Sequence, residues 1–240
     1  MSKENWRGLA STLTSKLKLQ SAPIGITFSM KEPANVPRFG APMPDPMPDG
    51  RTGAVPAGCV FWMKATDRTF STVAEDHGNC SVGSMTHGFK TLDEVSSNSD
   101  VAALLESGWV TMDVVPQIPV VKTKHSHVTY GPLEQSTIAP DVVLIRVNAT
   151  QLMILHDALP ELRFEGKPQC HVVAIAKEEN QVAASVGCML SRVRTGMSPN
   201  EMTCAIPASK LGDVVEALDA TCAADGTVAT YAAEDSKRFA

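Results

Sequence analysis

CVFWMKATDRTFSTVAEDHGNCSVGSMTHG, residues 59–88, and CHVVAIAKEENQVAASVGCMLSRVRTG, residues 170–196, each open on a cysteine and carry an alanine six residues later (Ala65, Ala176). Each also holds a second cysteine (Cys80, Cys188) with a glycine eight residues beyond it (Gly88, Gly196). The matched offsets predict an internal duplication, two pseudo-symmetric α/β halves packed as one compact α+β unit. Repeats bury their faces against one another, so Cys59, Cys80, Cys170 and Cys188 are expected to converge despite their separation in the chain.

Working outward, residues 1–20 read as an N-terminal docking helix, because Trp6, Leu9, Leu13 and Leu17 recur at helical spacing. Residues 21–135 form the first half, beginning with the strand Ile24–Ser29. Its segment 31–58 contains seven of the sixteen prolines, which excludes regular helix or central strand and predicts an irregular loop. A loop of that length in a compact domain often covers a site. Cys59 and Cys80 are placed in the first turns of short helices, where backbone N–H groups favour thiolate. Thr69–Val73 reads as a strand, Ser96–Gly108 as one helix, and Trp109–Val121 with His127–Leu133 as edge strands.

Residues 136–240 form the second half. Val142–Val147 is the strongest buried strand, Asn148 caps a helix running to Leu159, and Cys170 and Cys188 start helices as in the first copy. A C-terminal amphipathic helix covers Lys210–Cys222.

The formal charge of -5 and pI near 5.7 argue against nucleic acid or an anionic membrane surface as partner. The N-terminus lacks a signal-type apolar core, and no stretch reaches the length of a membrane span; a cytoplasmic protein is expected. Six cysteines there are expected as thiols or metal ligands. None forms a C-x-x-C pair, so a metal site must be assembled from distant segments.

The segments G-C-x-F-x-x-K-A (Gly58–Ala65), C-x-x-G (Cys80–Gly83), P-D-V-V from Pro140, Cys170, C-x-x-x-R (Cys188–Arg192) and E-x-x-x-x-I-P (Glu201–Pro207) follow in that order. With the L-K-L ahead of a Pro-led strand, they make the chain resemble domain-of-unknown-function family 169, a bacterial and archaeal family, from about Leu17 to about Leu218. The resemblance implies the four-cysteine framework and no particular reaction.

Four soft thiolates suit an iron–sulfur cluster, most simply [4Fe–4S], and the leading expectation is an Fe–S-dependent oxidoreductase or lyase. Zinc is less favoured, since its structural ligands usually stand closer in sequence. Haem in a non-enzymatic ligand-binding protein, and cysteines that only pack, stay open as alternatives. A small anionic substrate or an electron donor is the expected partner, and homo-oligomerisation is left open. Arg192, His87 and Lys64 are the candidate catalytic residues; Arg192 and Arg194 offer planar forks for a carboxylate or phosphate. His171, beside Cys170, is a further candidate, whereas His125, His127 and His156 carry weaker signals. No nucleophile elbow, P-loop, dinucleotide fingerprint or H-E-x-x-H motif occurs.

Overall fold

The computed structural model describes residues 3–239. Seven strands form one continuous sheet: β1 (Ile24–Ser29), β2 (Phe70–Thr72), β3 (His127–Pro132), β4 (Val142–Val147), β5 (Arg163–Glu165), β6 (Ala183–Ser185) and β7 (Met202–Pro207), in the spatial order β2-β3-β1-β4-β7-β6-β5. Every pairing is antiparallel except β5 with β6. The helices are α1 (Lys3–Leu17), α2 (Cys59–Lys64), α3 (Ser81–Thr86), α4 (Leu92–Val95), α5 (Ser99–Glu106), α6 (Ala149–Ala158), α7 (His171–Ala174), α8 (Met189–Thr195) and α9 (Leu211–Ser236). Among the described residues no helix is long and apolar enough to cross a membrane.

β4 lies at the centre, between β1 and β7, and both of its faces are covered. Side chains alternate across a strand, so Val143, Ile145 and Val147 join one core while Val142 and Leu144 join another. Burial on both faces explains why VVLIRV reads as an almost unbroken apolar run. The first core takes Trp6, Leu13 and Leu17 of α1, Leu152 and Leu155 of α6, and Leu211, Val214 and Leu218 of α9. The second takes Phe61 and Trp62 of α2, Val172 and Val173 of α7, and Phe70 and Tyr130 of the sheet. The cysteine-bearing helices α2 and α7 therefore sit on the face opposite α1, α6 and α9.

Several expected elements are realised as read. Asn148 caps α6, its side chain accepting from the Gln151 N–H at 3.0 Å while Gln151 reciprocates. Gly88 and Gly196, the matched glycines, both end their helices at positive φ (76° and 71°). Others differ. Ser96–Gly108 does hold one helix, α5, over the shorter span Ser99–Glu106, and a separate turn that was not expected, α4, capped by Thr91, precedes it. Trp109–Val121 forms no strand, only a 3-10 turn at Val115–Gln117, because Pro116 and Pro119 lack the N–H a ladder needs. β3 is internal, not an edge, since β2 pairs outside it. α9 continues to Ser236, well past Cys222.

A four-cysteine candidate site

The residues 31–58 adopt no regular strand or helix, yet they are tied down along their length. Phe39 inserts between Phe61 and Phe70, with both ring centroids 4.9 Å away. Further on, Arg51 fans its guanidinium across four partners: Asp49 (2.9 Å), Asp100 (3.1 Å), the Asn79 carbonyl (3.0 Å) and Ser99 Oγ (2.9 Å). Asp100 in turn accepts from the backbone N–H and hydroxyl of Ser81, at 3.1 and 2.7 Å. Asn79 donates back to the carbonyls of Gly53 and Val55. The proline-rich segment is thus a latch on the residues either side of Cys80, built from buried charge and carbonyl contacts.

That latch delivers the chain to Cys59, the first residue of α2, and holds Cys80 as N-cap of α3, where its Sγ accepts from the Gly83 N–H at 3.4 Å. Cys170 and Cys188 are the N-caps of α7 and α8. The fold makes the four thiols electrostatic neighbours. Burial pushes Cys59 up to about 12; the side chains of Ser191 and Gln169 oppose that, and Cys80 and Cys188 add to it. Burial also raises Cys80, with Gly83 N–H and Arg194 opposing and Asp100 and Cys188 reinforcing. Cys170 stands well above the ordinary thiol range, through burial first and then through Cys59, Cys80 and Cys188. The expected thiolate preference at these helix starts is therefore overturned for all three: in such short helices desolvation outweighs the N-terminal dipole.

Gln169, fully buried, joins the start of α2 to α8: its Nε2 donates to Cys59 Sγ at 3.2 Å and to Ser191 Oγ of α8 at 2.7 Å. Cys204 and Cys222, outside the duplicated pattern, belong to the opposite core. As they stand, the described residues include no group of three or more His, Cys, Asp or Glu side chains arranged to hold a metal ion.

Of the other candidates, His87 ends α3 next to Thr86, whose hydroxyl is a neighbour of Cys170. It is buried, with Nδ1 on the Gly83 carbonyl at 3.0 Å and Nε2 without a partner. Lys64 is not brought to the thiols; it is exposed in the last turn of α2, the far end from Cys59. Arg192 is engaged by the backbone: its guanidinium donates to the carbonyls of Ser198, Val186 and Glu201. Arg194, not Arg192, acts on Cys80. His171 turns to the sheet edge, 3.5 Å from Glu165. His125 precedes β3 and packs edge-on against Phe28 and Phe89.

His77 was not legible in the sequence. It accompanies His87 at 5.5 Å between ring centroids and Phe61 at 4.7 Å, with Nε2 3.0 Å from Thr72 Oγ1. Only its place three residues before Cys80 hinted at it. Burial lowers His77 well below its usual range and His87 to about 4. Both rings are neutral in the folded protein, whereas the unfolded chain takes up protons below about 6.5. Stability is therefore expected to be level above that pH and to fall as the pH drops towards 4. His87 alone accounts for about 3 kcal/mol at full effect. Urea unfolding at pH 7.5, 6 and 5 checks this; His87→Gln should flatten the dependence, and an unchanged slope would place its origin elsewhere.

Fold and site together define a mixed α+β protein with a single seven-stranded sheet, in which Cys59, Cys80, Cys170 and Cys188 stand at the starts of four helices. The chain belongs to the DUF169 family, described as uncharacterised ArCR, whose model matches residues 12–217. No curated protein and no solved structure matches it.

Proposed function

We propose that Cys59, Cys80, Cys170 and Cys188 hold an iron–sulfur cluster, most simply [4Fe–4S], and that the protein is a redox or lyase-type enzyme acting on a small anionic substrate. The observation that supports this reading is that four soft donors, each at a helix start, lie within electrostatic reach of one another. Burial and the charge of neighbouring thiols raise Cys59, Cys80 and Cys170 above the ordinary thiol range; a bound metal centre would favour the thiolates and displace their protons. Cys59, Cys80, Cys170 and Cys188 would be the residues that hold it, each giving up its thiol proton. When bound, the cluster supplies either one-electron chemistry or an iron acting as Lewis acid. The protein's own part is to exclude water, to present the Gln169 N–H to Cys59 sulfur, which tunes its electron density, and to close the latch behind Cys80.

Anaerobic purification with iron and sulfide analysis tests the reading. Brown protein containing iron and sulfide in equal amounts is expected. Cys59→Ser and Cys170→Ser should lose the colour, whereas Cys204→Ala, changed on the other face of the sheet, should keep it. Equal retention in all three variants, or colourless iron-free protein after anaerobic reconstitution, sinks the proposal; a sharp Soret band would replace the cluster with haem.

The same reading takes the two halves as an internal duplication. Its support is the strand order: β1, β3 and β2 run outward from the centre on one side as β4, β7 and β6 do on the other. Both sets alternate with cysteine-started helices in the same sequence. In an experimental structure, the rotation carrying β1 onto β4 should carry Cys59 and Cys80 onto Cys170 and Cys188; a misfit exceeding one helical turn argues against common descent.

A further inference from the structure

Arg194 stands out among the cations near the thiols because its Nη1 is buried with no acceptor. The guanidinium of Arg51 is saturated by the latch, and that of Arg192 by three carbonyls. Arg194 lies on α8, which starts at Cys188, one turn beyond Ser191. Ser191 Oγ accepts from the Gln169 amide that also donates to Cys59. The other end of that amide, Gln169 Oε1, is likewise buried without a partner. Leaving both a guanidinium N–H and an amide oxygen unmet in the interior is costly; the acceptor belongs to the amide that touches Cys59 and the donor to the guanidinium whose charge acts on Cys80, and these two thiols are electrostatic neighbours.

We propose that Arg194 anchors the carboxylate of a small organic acid at the four-cysteine site, while Gln169 Oε1 accepts from a hydroxyl or amino group on the same molecule. The inference deepens the proposed function in naming the substrate class, and it rests on that reading in taking the thiols as the reactive centre. A planar guanidinium matches a carboxylate in both shape and charge. A phosphate dianion fits less well: Arg194 neutralises one charge, and Asp100 already adds a negative field at Cys80. The anchor falls to Arg194, since Arg192 has its N–H groups turned into the loop, closing over Gly187, where a Cβ would stand 2.6 Å from its Nη2.

Two measurements on the full chain test it. In thermal unfolding at fixed ionic strength, lactate is expected to raise the melting temperature of the wild type, propionate to do so less, and phosphate not at all. Arg194→Gln should abolish both rises without lowering the starting melting temperature, since the buried Nη1 that it removes makes no hydrogen bond; a purely structural arginine would lower it. In chelator-treated protein, Cys80 is alkylated by iodoacetate and by iodoacetamide, followed by peptide mass. The thiolate attacks the methylene carbon, a C–S bond forms, iodide leaves with the C–I electrons, and the thiol proton passes to solvent. The iodoacetate-to-iodoacetamide rate ratio should fall about tenfold in Arg194→Gln and partly recover in Arg194→Lys. Carboxylate responses identical in wild type and Arg194→Gln, or a rise with phosphate equal to that with lactate, overturn the anchor. Arg194→Gln should keep the brown colour, as Arg194 is no ligand. Colourless wild type with an Arg194-dependent carboxylate response would sink the cluster alone, and brown wild type without that response would sink the anchor alone.

Discussion

Arg51→Ala is expected to cost about 3 kcal/mol or more, an unusually large loss for a residue in a proline-rich segment without secondary structure. The side chain is buried with Asp49 and Asp100 as its counter-charges and the Asn79 carbonyl and Ser99 Oγ as further acceptors. Truncation leaves two carboxylates facing each other in a water-poor place, and breaking a buried pair on one side costs far more than the pair itself contributes. Arg51→Lys should recover only part, because an ammonium cannot reach all four directions of a planar fork. Urea unfolding gives the magnitude, and limited proteolysis of residues 40–58 gives the location. A loss below about 1 kcal/mol would mean that water screens the network as it does a surface pair.

Gly78→Ala should be comparably severe for a steric reason. A Cβ at this position would stand 1.5 Å from the Thr52 carbonyl oxygen and 2.7 Å from its carbon. Both are backbone atoms of the latch, so relief requires the segment to lift off rather than a side chain to turn. Overpacking of this kind costs about 3 kcal/mol or more when backbone must shift. Gly8→Ala is the control: α1 offers open space there, so alanine's helix preference should stabilise by up to about 1 kcal/mol. If both variants melt alike, the close crossing of Thr52 over Gly78 is not rigid.

The parts of the fold legible in the sequence are those where one local rule acts alone. Trp6, Leu13 and Leu17 mark α1 because a single face is buried; Val142–Val147 marks the central strand because both faces are; Asn148 and Gln151 announce a cap by their own reciprocal bonds. What escaped was set by neighbours. Ala183–Ser185 has little strand preference and becomes β6 because β5 and β7 flank it. Trp109–Val121 alternates like a strand, but its prolines and its lack of a free ladder leave it as a strap, held by Val121 N–H on the Thr86 carbonyl.

In the site, the four cysteines could be singled out by matching offsets, which repeat whatever the surroundings. The roles of Arg192 and Arg194 could not. Two residues apart on α8, they differ only in what the next loop offers: carbonyls of Ser198 and Glu201 for one, nothing for the other. His77 and the Arg51 latch depend on contacts between segments that no local pattern records.

The central place of β4 also orders events during synthesis. β1 acquires its inner neighbour only after residue 147 has been made, and Gln169, which joins Cys59 to α8, comes later still. At roughly 5–20 residues per second, a ribosome-bound chain carries Cys59 and Cys80 for several seconds before their counterparts exist. During that interval two thiols and a bare strand edge face solvent or a chaperone, open to oxidation and to pairing with another chain. Any cofactor that needs all four thiols must therefore be delivered late, to a chain already complete through α8.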